Sequence, residues 1–315
     1  LTRLENTSSG VVVENYSADG KTLISQRTIS KELSIFGGFY SGKDYNYLVF
    51  GQNNTSESDS KEVVRVVKYT KSWSKVNSCS ISGVNTTKPF SAGSLRIEEA
   101  GGKLYVYTCH EMYADSDGIN HQANMLFTID ESSMSLTDSM YDVSNLTDGY
   151  VSHSFNQFIK ADESGKYIYR VDHSESSNYM MNGSYLSVNG ITLTKYKADG
   201  KSTAVSVSIP VKFDINKSNY TGASIGGFEL GSGNCLIAYA KDVSSSCNTR
   251  NVYISVTDEL FNGTQNIALT NYGTSSKVTC RTPQLIKIND NLFLVMWEEY
   301  NSSTCLLYTS DAADE

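Results

Sequence analysis

Residues 35–50 read IFGGFYSGKDYNYLVF, and residues 225–239 follow the same plan as IGGFELGSGNCLIAY. Each stretch has an apolar strand with a Gly-Gly-Phe sequence, a turn rich in glycine and polar residues, and a second apolar strand. Together these parts predict a β-hairpin. The paired glycines indicate a place where another part of the chain approaches the backbone closely. A hairpin that recurs in this way is typical of a repeat protein.

The second strand of this hairpin occurs five times along the chain. Its copies begin at Tyr47, Leu104, Tyr167, Cys235 and Leu292, which are separated by 57, 63, 68 and 57 positions. The first four copies are followed by a third strand that tends to alternate, at 63–69, 125–129, 191–196 and 252–256. A more polar fourth strand, such as 204–209, then closes each unit. Four strands in about 60 residues are typical of a β-propeller blade.

We therefore predict an all-β fold, a β-propeller fragment with four full four-stranded antiparallel blades and a half-blade at each end. Residues 11–29 supply the third and fourth strands of one half-blade, and residues 284–298 supply the first and second strands of the other. We expect six or seven blades in the intact ring. A β-sandwich does not require self-similarity at this period, and a β-helix would repeat at a much shorter one.

Composition supports this fold and excludes several classes of function. Three prolines, 21 tyrosines and 23 glycines among 315 residues favour strands joined by polar turns over helices. No apolar run approaches the ~18 to 20 residues of a membrane span, so we expect no membrane insertion. A net charge of −8 without a Lys/Arg cluster argues against a nucleic-acid partner. The cysteines show neither CxxC spacing nor a disulfide framework.

The two ends of the sequence are predicted to be cut. Residues 305–315 (CLLYTSDAADE) match the translation of a sequencing adapter, so we expect a non-native tail after Thr304. Residues 1–304 then form a single propeller domain, truncated at both ends. The first residue is not Met and no signal peptide follows it, so any export signal is expected upstream.

Three stretches carry a resemblance to a known group of proteins. Residues 37–47 (GGFYSGKDYNY), 120–125 (NHQANM) and 149–157 (GYVSHSFNQ) resemble an uncharacterised propeller region of secreted or wall-attached proteins of Gram-positive gut bacteria. The similarity runs from the N-terminus to about Thr304. It implies a propeller at the cell surface or outside the cell. Where that family has an Asp-His-Gly-Asp-like loop, this chain has Asp172-His173-Ser174-Glu175 and lacks the glycine.

All four histidines fall on one predicted face of the propeller. The connections from second to third strand, and from fourth strand to the next blade, open on the same side, where most propellers bind ligands. The site residues predicted there are His110, Glu111, His121, Gln122, His153, Asn156, Gln157, Asp172 and His173. Trp297, on the same rim, is either a stacking platform for a ligand or an ordinary packing residue between blades.

Three roles stay open for this histidine-bearing face. Imidazole and carboxylate groups suit a divalent metal ion, so His110, His121, His153 and His173 are candidate ligands, but no spacing such as H-E-x-x-H occurs. The same groups could act as acid and base on a sugar, or could bind a ligand without catalysis. They could also cap strands and hold long loops together. No other cofactor is predicted.

Our leading hypothesis is a recognition or scaffold propeller that binds glycan or protein through the histidine-bearing face. The first alternative is a metal-assisted polysaccharide lyase or glycoside hydrolase that uses the same histidines. The second is a structural spacer without a ligand. A pocket at which the four histidines converge would favour the enzyme, and scattered rings would favour the spacer.

Overall fold

A computed structural model describes residues 1–91, 93–143, 156–181, 184–199, 204–213, 222–244, 246–304 and 306–313. Within these ranges the regular structure is all β-strand, and no helix is long and apolar enough to cross a membrane. The strands form six sheets, which we number as blades 1 to 6 in chain order. This confirms the predicted all-β class.

The strands of each blade follow one another along the chain. Blade 1 holds β1 (Thr2–Asn6), β2 (Val11–Tyr16) and β3 (Leu23–Ile29). Blade 2 holds β4 (Ile35–Ser41), β5 (Tyr45–Gly51), β6 (Glu62–Thr70) and β7 (Lys75–Ser82). Blade 3 holds β8 (Thr86–Pro89), β9 (Arg96–Ala100), β10 (Lys103–Ala114), β11 (Asn120–Asp130) and β12 (Ser135–Val143). Blade 4 holds β13 (Phe158–Ala161), β14 (Tyr167–Met181), β15 (Ser184–Lys197) and β16 (Ala204–Lys212). Blade 5 holds β17 (Ala223–Gly231), β18 (Asn234–Asp242), β19 (Arg250–Asp258) and β20 (Gln265–Ala268). Blade 6 holds β21 (Val278–Cys280), β22 (Gln284–Asn289), β23 (Leu292–Asn301) and β24 (Leu306–Ala313).

Successive blades stack face to face around an axis. The first strands of neighbouring hairpins contact one another in chain order, β4 with β9, β9 with β13, β13 with β17, and β17 with β22. Five apolar clusters lie between blades 1 and 2, 2 and 3, 3 and 4, 4 and 5, and 5 and 6. Adjacency of inner strands together with a core between every pair of neighbours confirms the propeller. Trp297 packs in the cluster between blades 5 and 6.

The Gly-Gly-Phe sequences lie where a neighbouring blade touches the inner strand. Both carry a β-bulge, between Phe36 and Gly38 in β4 and between Ile225 and Gly227 in β17. A Cβ on Gly226 would lie 1.8 Å from the carbonyl oxygen of Pro283 in the connection to blade 6. The glycines are therefore required by close approach, as the repeated sequence predicts.

The end sheets contain more strands than the predicted half-blades. At the N-terminus β1 pairs with β2, although its sequence, TRLEN, is mostly exposed and has no apolar alternation that would reveal a strand. At the C-terminus β21 and β24 both pair with β23 of the predicted hairpin, and the backbone of β24 lies within the segment that we expect to be non-native. The origin of that segment, the domain boundary at Thr304 and the blade number of an intact ring stay predictions.

Candidate functional site

His110 is a buried structural residue. Its Nε2 faces the backbone carbonyl of Tyr141, and its Nδ1 lies 2.7 Å from Thr86 Oγ1. Because a carbonyl only accepts hydrogen bonds, Nε2 carries the proton, and the unprotonated Nδ1 faces the Thr86 hydroxyl, which also lies 2.9 Å from the Val84 carbonyl oxygen. Burial lowers the pKa of His110 to about 4. The ring is therefore neutral, and both of its nitrogens are occupied within blade 3.

The other described histidines lie in different surroundings. His121 sits beside the β10–β11 turn, with its Nε2 2.8 Å from Asp117 Oδ2. His173 is buried, its ring 6.1 Å from that of Phe213, and burial together with the charge of Arg250 lowers its pKa to about 4. His153 lies outside the described residues. Within the described ranges, no three His, Cys, Asp or Glu side chains form a group that could hold a metal ion.

The remaining predicted residues mostly tie elements together. Glu111 forms an ion pair of 2.8 Å with Lys88 at the surface. Asn156 donates a hydrogen bond to the carbonyl of Ile225 in the next blade. Gln157 is fully buried and donates to Asn124 Oδ1 at 2.8 Å. Gln122 is partly exposed, with its Oε1 atom buried.

Asp172 belongs to a buried polar cluster between blades 3 and 4. Its carboxylate accepts hydrogen bonds from the Tyr107 hydroxyl and from Asn124 Nδ2, and Arg170 Nε lies 3.6 Å away. Arg170 donates to the Tyr196 hydroxyl at 2.6 Å. Burial raises the pKa of Asp172 and lowers that of Arg170. With both charged side chains 2% exposed or less, this cluster joins two blades and is closed to a ligand.

A second set of polar residues occupies one equivalent position on four consecutive inner strands. The four residues are Tyr40, Glu98, Lys160 and Glu229, and we call them the axial layer. Their partners in the paired second strands are, in the same order, Tyr47, Tyr105, Tyr169 and Leu236. Because these inner strands contact one another around the axis, the four side chains lie at one level of the propeller.

Charge is distributed unevenly within the axial layer. Lys160 Nζ lies 3.1 Å from Glu229 Oε1, so Glu229 is ion-paired. Glu98 accepts a hydrogen bond from the backbone N–H of Ala161, yet burial raises its pKa to about 7, against an opposing effect of Lys160. Burial and the nearby charge of Glu98 also raise the pKa of Tyr40. The layer thus places a carboxyl group whose pKa is raised to about 7 near a second carboxyl group that is ion-paired with Lys160.

Two cavities open beyond the axial layer, at the turns between first and second strands. The acidic cavity, of about 410 Å³, is lined by Asp162, Glu163, Ser164, Leu230, Gly231, Ser232, Gly233, Glu259, Asp290 and Asn291. The apolar groove, of about 250 Å³, lies between blades 5 and 6 and shares Gly231, Ser232, Asp290 and Asn291 with that cavity. Both lie at the opposite end of the blades from the predicted histidine-bearing face.

Sequence reasoning missed the axial layer. Motif searches found no fixed spacing around Glu98 or Glu229, because the two belong to different blades. A partial signal was present, since aligning the hairpins on Tyr47 and Tyr105 places Tyr40 and Glu98 in one column, whereas the longer turn after Lys160 shifts that residue out of it. The three charged residues of this layer are only partly exposed, and a charged side chain that is partly removed from water costs free energy unless it is paired or functional.

A scan against family models finds no match, and no curated protein is significantly similar in sequence. Several solved structures are similar to this chain at low sequence identity. An endo-arabinase from Bacteroides thetaiotaomicron VPI-5482 has 11% identity and a TM-score of 0.44, with 90% of this chain and 95% of that chain covered. An α-L-arabinanase from Cellvibrio cellulosa has 9% identity and a TM-score of 0.44, with 87% and 89% covered. KlAtg21, in a complex with the coiled coil of AgAtg16, has 12% identity and a TM-score of 0.47, with 96% and 77% covered. At such values the likeness does not bear on the chemistry of this chain.

Proposed function

We propose that this propeller is a glycoside hydrolase whose reacting groups are Glu98 and Glu229 of the axial layer. The observation that carries the proposal is the difference between two neighbouring carboxyl groups. Glu98 holds its proton up to about pH 7, whereas Glu229 is ion-paired with Lys160. Two carboxyl groups whose surroundings separate their protonation states are the usual equipment for acid and base roles on a glycosidic bond.

In this proposal Glu98 is the general acid. It gives its proton to the leaving oxygen as the bond from that oxygen to the anomeric carbon breaks. Glu229 supplies the ionised carboxylate that either activates the attacking water or bonds to the anomeric carbon first. Water contributes the new hydroxyl, and Glu98 is reprotonated at the end. The acid has a pKa close to neutral pH, where proton donation by a carboxyl group is efficient.

The acidic cavity offers space for the rest of a saccharide. Asp162 and Leu230 follow the axial residues Lys160 and Glu229 on β13 and β17, so this cavity adjoins the axial layer. Carboxylates and a serine hydroxyl on its walls can accept and donate hydrogen bonds to sugar hydroxyls. Such polar side chains at a concave surface are typical of a small-molecule site.

Glycan recognition without catalysis is the second candidate, and one observation favours it. Lys160 lies between Glu98 and Glu229 and so links blades 3, 4 and 5. A charge cluster with a purely structural role would be expected to link blades in the same way. In that case the axial layer would hold the blades together and the ligand would be bound but not cleaved.

Hydrolysis distinguishes the two candidates. Purified protein is incubated with a panel of neutral and amino-sugar polysaccharides, and new reducing ends are measured. We expect Glu98→Gln and Glu229→Gln each to reduce the rate at least about 100-fold, the size typical of losing a general acid or base. Glu298→Gln, a change of an exposed carboxylate on β23, should leave the rate unchanged. Binding of a polysaccharide without any cleavage would favour recognition instead.

We further propose that the protein acts outside the cell or at the cell wall, as its sequence resemblance implies. Fractionation of the native organism, with an antibody against this chain, tests the location. Recovery only from the cytosol would contradict it.

A further inference from the structure

The apolar groove is a gap between two blades that otherwise pack closely. Its walls are Leu236, Ile254 and Val256 of blade 5 and Leu285, Phe293 and Val295 of blade 6. Ile254, Leu285 and Val295 are buried, whereas Leu236, Val256 and Phe293 keep part of their surface exposed. Protein interiors are normally packed without voids much larger than a water molecule. A gap of about 250 Å³ is large enough to accept one large apolar side chain.

The mouth of the groove is held in shape by turn residues. Gly231 lies at the mouth, and a Cβ there would come within 2.5 Å of the Phe293 ring and 2.7 Å of the Asp290 carbonyl oxygen. The Ser232 hydroxyl donates to that carbonyl at 2.8 Å, which ties the turn of blade 5 to the turn of blade 6. The mouth is therefore built by two adjacent blades.

Negative charge surrounds the mouth. The adjoining acidic cavity carries Asp162, Glu163, Glu259 and Asp290. Lys287 lies 2.5 Å from Asp290 and 3.6 Å from Glu163. Lys195 Nζ donates to the Glu259 carbonyl at 3.3 Å, so two lysines offset part of the charge of four carboxylates. Glu163 keeps 79% of its side chain exposed. An occupant of the groove is therefore favoured if it carries positive charge next to its apolar group.

We propose that the apolar groove docks an extended peptide segment of a partner protein, with a large apolar side chain in the groove and a Lys or Arg in the acidic cavity. In an extended peptide, side chains two positions apart point the same way and lie roughly 6.5–7 Å from each other. That spacing suits two cavities that share four residues of one rim.

A sugar fits the groove less well than a peptide does. The deep walls are aliphatic or aromatic and carry no hydrogen-bonding side chain, and the polar groups lie at the mouth. Sugar hydroxyls placed in the groove would lose their hydrogen bonds to water without replacement. An apolar side chain loses nothing by the same transfer and gains from it. The apolar groove lies apart from the axial layer, whereas the acidic cavity is the one that the proposed hydrolysis uses for the saccharide, so peptide and saccharide compete for that cavity.

The test uses three fluorescein-labelled peptides of Gly and Ser. The first carries Leu and Arg two positions apart, the second replaces Leu with Ser, and the third replaces Arg with Glu. Binding to the whole chain is measured by fluorescence anisotropy. We expect the first peptide to bind roughly tenfold or more tightly than the second, because burial of a Leu side chain is lost. The third peptide should bind weakly because its charge is repelled.

Two charge-reversal variants provide the matched comparison. Glu163→Lys should weaken binding of the Leu-Arg peptide several-fold, since it reverses an exposed charge at the acidic cavity. Asp44→Lys makes the same charge change at an exposed turn of blade 2 and should have no effect. Equal weakening by both variants would show general attraction to an acidic protein and overturn the proposal. Equal affinity for all three peptides would also overturn it.

A larger side chain inside the apolar groove distinguishes a bound peptide from the two other possible occupants, a second copy of the chain and a sugar. Val256→Phe should abolish peptide binding while polysaccharide hydrolysis is retained. Sedimentation of the unliganded protein shows whether a second copy occupies the groove. A dimer that is dissociated by Val256→Phe would overturn the peptide proposal. The proposal would likewise be overturned if the protein bound a glucosamine oligomer but no peptide, and if Val256→Phe abolished that binding.

Discussion

Replacing Gly226 with alanine tests the crowding of the inner strands directly. The new Cβ would lie 1.8 Å from the Pro283 carbonyl oxygen and 2.6 Å from its carbonyl carbon. To reach the 3.0 Å limit of real Cβ contacts, the two backbones must separate by 3.0 − 1.8 = 1.2 Å. Neither atom belongs to a flexible side chain, so the inner strand of blade 5 and the connection to blade 6 have to move.

Two opposing effects set the size of the change. Overpacking typically costs about 1–3 kcal/mol. Against this, a Gly-to-Ala change at a permitted backbone conformation stabilises by about 0.4–1 kcal/mol, because it restricts the unfolded chain. We therefore expect a net loss of about 1–2 kcal/mol in the free energy of unfolding. For a chain of 315 residues that corresponds to a fall in Tm of about 1.5–3 °C.

Thermal unfolding followed by circular dichroism measures the effect, with Gly273→Ala as the control. Gly273 has no atom within 4 Å of its would-be Cβ and does not adopt a left-handed conformation. Its replacement should leave Tm unchanged or raise it slightly. If both variants unfold at the same temperature, the inner strands are not crowded and the role assigned to the paired glycines is refuted.

Three further predictions concern charged groups. The kcat/KM for polysaccharide hydrolysis should fall as pH rises above about 7, because Glu98 must be protonated to act as the acid. A kcat/KM that stays constant from about pH 6 to about pH 9 would contradict this role of Glu98. The same raised pKa affects stability. The folded state binds this proton more tightly than the unfolded state, so the contribution is complete below about pH 4.5 and is lost as pH rises through about 7. Glu98→Gln should therefore raise Tm relative to wild type near pH 8 and have little effect near pH 4, and a Tm difference of equal size at both pH values would refute the linkage. Finally, Asp172→Ala should cost about 3–5 kcal/mol in denaturant unfolding, because it leaves the buried Tyr107 hydroxyl and Asn124 amide without their acceptor and removes the carboxyl group beside the buried Arg170. The exposed Asp290→Ala should cost far less, and an Asp172→Ala cost no larger than that of Asp290→Ala would show that the buried cluster does not contribute to stability.

The histidines show where inference from the sequence stopped. His110 and His121 lie on strands of blade 3 and His173 on a strand of blade 4, but which groups surround each side chain depends on neighbouring strands. His110 bonds to Tyr141 on the far edge of its own blade and His121 to Asp117 in a turn. Neither partner could be identified from spacing, because both contacts depend on strand register and side-chain rotamers.

The sequence by itself determined the class of fold, the strand hairpins and the place of close approach at the glycines. Those features depend on local chemistry, since apolar alternation, turn residues and the absence of a Cβ act within a few residues of the chain. Only the tertiary structure decided that Glu98, Lys160 and Glu229 form one layer, and that an apolar groove lies beside an acidic cavity. Those residues come from separate blades, and they meet because the blades stack around a common axis that no single repeat encodes.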